Sequence, residues 1–476
     1  MTGGPVPTSG AVPTGEPVPT GTQGASTFSK APPAPGPAGE YSFPSFTQDR
    51  LDNGLRVLVC EDRRVPRVCA TMLLATGLSA DEQARPGLAA FLAEMLKEGA
   101  GARSADEIAE AVDFMGAELE TAGNQDMLQV SISMLEEYFA DGLGLMADMV
   151  LEPTLPQDVL DKLRRRELAT LTAKHAQPDY VARKVCYRAL YGEHPYAAID
   201  VTEASLNAMS RESLAAFRRV HFDPAKAYLI VVGSVGRNEV LRDARSFFEN
   251  WKATNPATPL AADVPALDER RVLLVDFPNA VQSNIIIANH ALPFGHADFV
   301  PFKVANQVLG GSFASRLFMN IREDKGYTYG AYSRPDARVE AGSLAAWAAV
   351  RNDVTGDALK EFFYELDRIR TERVGDDELK NTKAFLTGVF PIALERIEQI
   401  AVHIVSLKLY SLPDNHWDTY RDRINATTAE QVQQMAQRYI RPDQCIVTVV
   451  GRAVQLRPML EPLGPVTVLD KMGDPV

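Results

Sequence analysis

Apolar positions along this chain fall into short β-branched runs and longer stretches of helical period, and the two kinds alternate. Runs rich in Val, Leu and Cys predict strands over 55–60 and 67–75; apolar residues three to four apart predict helices over 87–97 and 105–115. A strand is expected over 128–134, then long helices from about 136 to 219 with breaks. Strands recur over 271–276 and 284–290, followed by a helix over 298–309.

The pattern is also repeated. LNAMSRESLAAFRRVHFDPAKAYLIVVG (206–233) and INATTAEQVQQMAQRYIRPDQCIVTVVG (424–451) share Asn207, Ala208, Pro224, Val231, Val232 and Gly233 with Asn425, Ala426, Pro442, Val449, Val450 and Gly451, all shifted by 218. The same shift carries Asp158 and Lys162 onto Asp376 and Lys380. Each copy opens a helix with Ser or Thr, ends it near Pro and closes a β-branched strand on Gly. Such agreement without gaps implies a duplicated domain. Strands separated by helical hairpins rather than single crossovers give an α+β fold: two tandem homologous α/β domains, each a mixed, mostly antiparallel sheet with helices on one face. The boundaries expected are 44–251 and 269–470, joined by a linker over 252–268. Residues 1–40 hold nine Pro and eight Gly, with Val-Pro-Thr recurring every six residues, so 1–43 is expected to be a disordered tail.

Composition narrows the function. Apolar residues are 46% and charged residues 23% of 476, and the net charge is −13. Without a dense basic run, a nucleic-acid partner is not expected. No apolar run approaches the ~20 residues that cross a bilayer, so no membrane insertion is expected. Four cysteines without a C-x-x-C pair make no disulfide framework, and no secretory signal opens the chain. A cytoplasmic location is expected, with a periplasmic one left open. The seven histidines include no pair at i,i+3 or i,i+4, and there is no Walker loop, G-x-S-x-G elbow or G-x-G-x-x-G.

Several segments, in order, carry a resemblance: LDNGLRVLV (51–59), GLAAFLAEMLKEGA (87–100), HPY (194–196), LGGSFASRLFMNIREDKGYTYGAYS (309–333) and VTVVG (447–451). Together they resemble the insulinase and mitochondrial-processing-peptidase family of zinc proteases over roughly 46–455. Active members carry His-x-x-Glu-His on the first long helix, where i,i+4 spacing sets both imidazoles on one face and the Glu serves as general base. Laid on that motif, this chain has Ala90 and Glu94 at the histidines and Ala93 at the Glu. The family's third ligand falls near Thr170, and the nearby Glu167 is out of register. The first half is therefore expected to bind no metal or other cofactor. Where the family's substrate strand shows Asn-Ala, this chain has Glu120 and Thr121, so weak or absent strand pairing with a peptide is expected there.

The second half departs less. The family's second domain supplies an Arg and a Tyr seven residues apart, and Arg322 and Tyr329 match; Tyr327, five away, is the less favoured alternative. A guanidinium can hold a peptide carbonyl and a phenol can donate to the oxyanion that develops on it. The resemblance thus implies the non-catalytic subunit of a heterodimeric zinc endopeptidase. It would be inactive alone, with Arg322 and Tyr329 acting in trans on peptides or unfolded segments, and with zinc held by a homologous partner subunit. A non-proteolytic structural or binding protein of the same fold is the alternative. A self-sufficient peptidase has no visible ligand set.

Overall fold

A computed structural model of the chain describes residues 42–81, 85–252 and 263–476, so nearly all of the expected tail and most of the expected linker lie outside the described residues. Strands β1 (Thr47–Arg50), β2 (Arg56–Glu61) and β3 (Arg67–Leu74) lead to helix α1 (Leu88–Met95), a small ribbon of β4 (Gly99–Ala100) and β5 (Arg103–Ser104), and α2 (Ala105–Phe114). The hairpin of β6 (Glu118–Gly123) and β7 (Leu128–Leu135) follows. Helices α3 (Phe139–Leu151), α4 (Gln157–His175), α5 (Pro178–Tyr191), α6 (Glu203–Ala208) and α7 (Arg211–His221) then precede β8 (Ala227–Gly233) and α8 (Arg237–Phe248). The second half begins with β9 (Arg271–Asp276), β10 (Gln282–Ala291), α9 (Phe299–Leu309), a π-helical turn at Phe318–Asp324, β11 (Thr328–Ala337) and β12 (Gly342–Arg351). It ends with α10 (Thr355–Thr371), α11 (Asp376–Ala393), α12 (Ile397–Leu409), α13 (Tyr420–Ala426), α14 (Ala429–Tyr439), β13 (Ile446–Gly451), α15 (Ala453–Leu460) and β14 (Val466–Leu469). The strands and helices expected over 55–134 and 271–309 all form, with ends within two residues of those expected.

The two sheets run β6-β7-β3-β8-β2-β1 and β11-β12-β10-β13-β9-β14. In both, the first four strands are antiparallel neighbours and the fifth joins in parallel. Only the sixth differs: β1 is antiparallel to β2, whereas β14 is parallel to β9. The duplication reaches the caps, since Ser210 with Ser213 and Thr428 with Gln431 close capping boxes on α7 and α14, 218 residues apart. Along α4 and α11 the step differs by one. The helix starts (157 and 376) and the buried pairs Leu160/Leu379 and Leu171/Phe390 are 219 apart, so the Asp158/Asp376 and Lys162/Lys380 matches are one residue out of structural step.

Each sheet carries its own half's helices on one face, as the alternation predicts. The other face is covered over its central strands, by a single helix from the opposite half. Helix α5 packs on β10 and β13, and α12 packs on β3 and β8. Accordingly Leu58, Cys60, Cys69, Leu73, Ile230 and Val232 of the first sheet share a core with Ile400 and Ile404 of α12. Val181 and Val185 of α5 join Ala288, Ile446 and Val450 of the second sheet. Each such Leu, Ile or Val contributes on the order of 1.5–3 kcal/mol, so the exchange is strongly held. The four cysteines are buried, and burial pushes Cys60, Cys186 and Cys445 up to about 12, which takes thiolate chemistry away from them. Among the described residues no helix is long and apolar enough to cross a membrane.

A polar latch reinforces the exchange. Arg338, 7% exposed, donates to Asp336 from Nε (3.2 Å) and a terminal nitrogen (2.8 Å), and to the Tyr196 carbonyl (3.3 Å). Its guanidinium carbon lies 4.7–5.6 Å from the ring centroids of Tyr187, Tyr191 and Tyr196, all from the first half. The Tyr187 hydroxyl donates to Asp336 (3.0 Å), the Tyr196 hydroxyl to Asp126, and the Val339 amide to Asp126 (3.1 Å). His194 of the His-Pro-Tyr turn is structural: its Nδ1 accepts from the Tyr196 amide at 3.1 Å. Arg338→Ala strands Asp336 and empties the tyrosine box, so urea unfolding should show a loss of about 2–4 kcal/mol.

In the second half, His416 is buried against Trp417, and burial, then Arg423 and Lys303, push its imidazole down to about 4. A depressed pKa means stability that is present above the unfolded value near 6.5 and lost as pH falls toward 4. Between about pH 7.5 and about pH 5, His416→Gln should therefore lose about 2 kcal/mol less unfolding free energy than the parent chain.

Candidate functional site

The helix bearing the degenerate motif is built for position. Gly87 enters α1 with φ +88°, a left-handed geometry that favours glycine, and a Cβ there would stand 2.2 Å from Val201. Asp81 accepts the amides of Gly87 (2.7 Å) and Ala89 (2.9 Å), holding the helix start, and burial pushes its carboxyl up to about 7. Beyond this cap, Ala90 faces strand β6 so closely that a Cβ on Gly123 would lie 3.1 Å from its Cα. Ala93 is buried in the core. Glu94 pairs with Lys97 (3.0 Å) and with Arg166 of α4 (3.6 Å), and Arg166 also meets Glu167 (3.3 Å). Thr170 lies one turn further along α4. Cations of the protein thus surround the one carboxylate left in the motif. Among the described residues no group of three or more His, Cys, Asp or Glu stands close enough to hold a metal ion, and these residues do not fit zinc.

Strand β6 is the edge of its sheet, pairing with β7 through Glu118–Gly123. Strand addition uses backbone groups, so Glu120 and Thr121 alone do not close that edge.

In the second half, the chain between α9 and β11 is pinned before it reaches the candidate pair. Arg316 forks onto Glu378 of α11 with two 2.8 Å bonds, and Asn320 donates to Glu361 (3.0 Å) and Glu365 (2.9 Å) of α10. Asn320 lies within the π-helical turn, a geometry that concentrates at functional sites. Arg322 lies on this turn with its guanidinium carbon 4.6 Å from the Phe318 ring centroid and its Nε 3.4 Å from Glu323. Gly326 (φ +65°) turns the chain into β11. There the ladder bulges between Thr328 and Ala331, the Thr328 hydroxyl donating to the Ala349 carbonyl (2.7 Å) and accepting the Gly330 amide (3.2 Å). The bulge presents Tyr329, which is 89% exposed. Tyr327 instead packs against the second core.

Tyr329 lines a cavity of about 800 Å³ between α5 and the uncovered part of the second sheet; Arg322 is not part of its wall. A second cavity of about 550 Å³ is lined by Ala90, Gly123, Lys174 and Arg338. Arg183, Tyr187 and Asp336 belong to both walls, so the degenerate helix and the Tyr329 strand open on adjoining parts of one cleft. Sequence reasoning missed Arg183, Asp336, Arg338 and Trp347. The apolar run over 344–350 could have marked β12, but the swapped helix that makes the cleft leaves no local signal.

Known proteins resemble this chain along most of its length. The family model described as insulinase (peptidase family M16) matches residues 56–199, and the peptidase M16 inactive domain matches 208–386. The uncharacterized zinc protease YmxG of Bacillus subtilis is 23% identical over 398 residues, 83% of this chain and 96% of that protein. An uncharacterized zinc protease of Streptomyces coelicolor is 24% identical, covering 90% of this chain and 91% of its own. A peptidase M16 inactive domain from Pseudomonas fluorescens has the same fold, with a TM-score of 0.81, 24% identity and coverage of 85% and 98%. A protease from Helicobacter pylori has it too, at 0.81 and 18%, covering 86% and 100%.

Placing the family's ligand residues on this helix tests whether it can hold zinc. Ala90→His with Ala93→Glu and Glu94→His should bind zinc more weakly, by calorimetric titration, than the same variant with Thr170→Glu, because a third protein donor is otherwise missing.

Proposed function

Because the chain belongs to the insulinase family of peptidases, family M16, we propose that it is the metal-free subunit of a two-chain endopeptidase that acts on peptides or unfolded segments. The observation that carries this reading is an asymmetry within one duplicated fold: α1 carries Ala90, Ala93 and a tied-up Glu94, while β11 presents an exposed Tyr329 on the cleft. Any zinc would belong to a homologous partner subunit. That the relatives from Bacillus subtilis and Streptomyces coelicolor are called zinc proteases favours a proteolytic setting.

The residues of this chain would bind and orient. Tyr329 donates its phenolic proton in a hydrogen bond to the peptide carbonyl oxygen as that oxygen gains charge. Arg322 engages the substrate carbonyl by leaving Phe318 and Glu323; the exposed ion pair it gives up is worth about 0–1 kcal/mol, so the swing is cheap. The place of Arg322 outside the cavity wall favours a second reading, a non-proteolytic scaffold of the same fold.

Turnover separates the two. In the co-purified pair, Tyr329→Phe should lower kcat about 100-fold. Arg322→Ala should lower kcat/KM, and light scattering should show assembly intact for both variants. Unchanged turnover in both would leave the scaffold reading standing.

A further inference from the structure

The uncovered part of the second sheet is an aromatic floor. Tyr332, Trp347 and Ile286 stand in register across β11, β12 and β10, with the Tyr332 and Trp347 rings 6.1 Å apart. Ala345 and Ala349 flank Trp347 on the same face of β12, leaving its ring open, and it is 38% exposed. The volume of about 800 Å³ suits a ligand of several residues rather than a folded surface.

The walls of this floor carry two arginines and two aspartates, with Arg338 beside them. Arg183 of α5 and Arg334 of β11 both line the cavity and are exposed. Neither guanidinium has an ion pair or hydrogen-bond partner among the described residues, in contrast to Arg338 on Asp336 and Arg316 on Glu378. Of the two lining carboxylates, Asp336 is engaged by Arg338 and Tyr187; Asp179 sits in the first turn of α5, four residues before Arg183. With Arg338 counted on Asp336, three guanidiniums (Arg183, Arg334, Arg338) face two carboxylates (Asp179, Asp336), so the cleft is locally positive in a chain whose net charge is −13.

The edge of β11 decides how a chain could lie there. The Ser333 amide donates to the Gly310 carbonyl (2.9 Å), the Ser333 carbonyl accepts from Asn306 (3.2 Å), and Pro335 has no N–H. Pairing by strand addition is therefore blocked along the middle of this edge, and a ligand must be read on the sheet face by its side chains.

We infer that this cleft selects acidic extended peptides: Arg183 and Arg334 hold carboxylates, while a large apolar side chain of the same peptide lies on Tyr332 and Trp347. This specificity rests on the peptide-binding part of the reading above and gives it a substrate class. Arg183, on the wall shared by both cavities, would hold its carboxylate between the Tyr329 end and the Ala90 end of the cleft.

The test uses the full chain and two synthetic probes: a peptide alternating Ala and Glu around a central Phe, and its Lys-for-Glu counterpart. Calorimetry should show the acidic probe binding roughly tenfold or more tighter, with the advantage shrinking in high salt. Trp251 and Trp417 are buried, so the change in indole emission on binding should come from Trp347 and disappear in Trp347→Phe while calorimetric binding persists. Arg183→Glu with Arg334→Glu should reverse the preference, and Arg183→Gln with Arg334→Gln should abolish it; both sites are exposed, and circular dichroism checks that the fold is kept. Equal affinity for the two probes, or an acidic preference that survives both double variants, would overturn the inference. Because these readouts concern binding to the chain alone, they fail independently of turnover in Arg322 and Tyr329 variants of the pair.

Discussion

Everything in this molecule depends on the exchange of two helices. Each sheet has two apolar faces, and each half supplies helices for only one of them. The remaining face is satisfied by α5 or α12 of the other half, so neither sheet is complete without both. This constraint also makes the cleft. Helix α5 covers β10 and β13 and leaves β11 and β12 bare, and the bare strip is where Tyr329, Tyr332 and Trp347 meet solvent. The Arg338 latch stands beside it, with partners drawn from both halves, so the cleft walls are fixed relative to one another.

Within this shared scaffold the halves have diverged chemically. In the first, α1 serves packing and ion pairing: Ala93 lies in the core and Glu94 pairs with Lys97 and Arg166. The second has replaced the position of α2 with a π-helical turn and a bulge, both of which aim side chains out of the regular ladder. A duplicated fold can thus carry a closed, repacked face and an open, polar one without any change in strand order.

Much of the fold was legible in the sequence because its signals are local. The Ser and Thr caps of α7 and α14, the prolines after them and the Val-Val-Gly strand ends mark the same unit twice, and those elements form as expected. The apolar period placed Ala90, Ala93 and Glu94 on one helix, whereas Arg322 and Tyr329 were singled out by the family resemblance. The rest was hidden because it depends on long-range packing. Nothing in residues 178–191 says that their apolar face serves a sheet built from residues 271–469. Arg183 and Arg334 look like ordinary surface charges until the fold sets both on one cavity. The orientation of Arg322, over Phe318 rather than toward the cleft, is likewise a matter of side-chain packing that seven-residue spacing does not encode.

The exchanged helices also set an order of events during synthesis. Helix α5 is complete at Tyr191, but β13, on which it packs, begins only at Ile446. Roughly 250 residues separate the two, which at about 5–20 residues per second leaves an apolar helix face waiting for tens of seconds on the ribosome. The first half therefore cannot bury all of its apolar surface until the second half has been made.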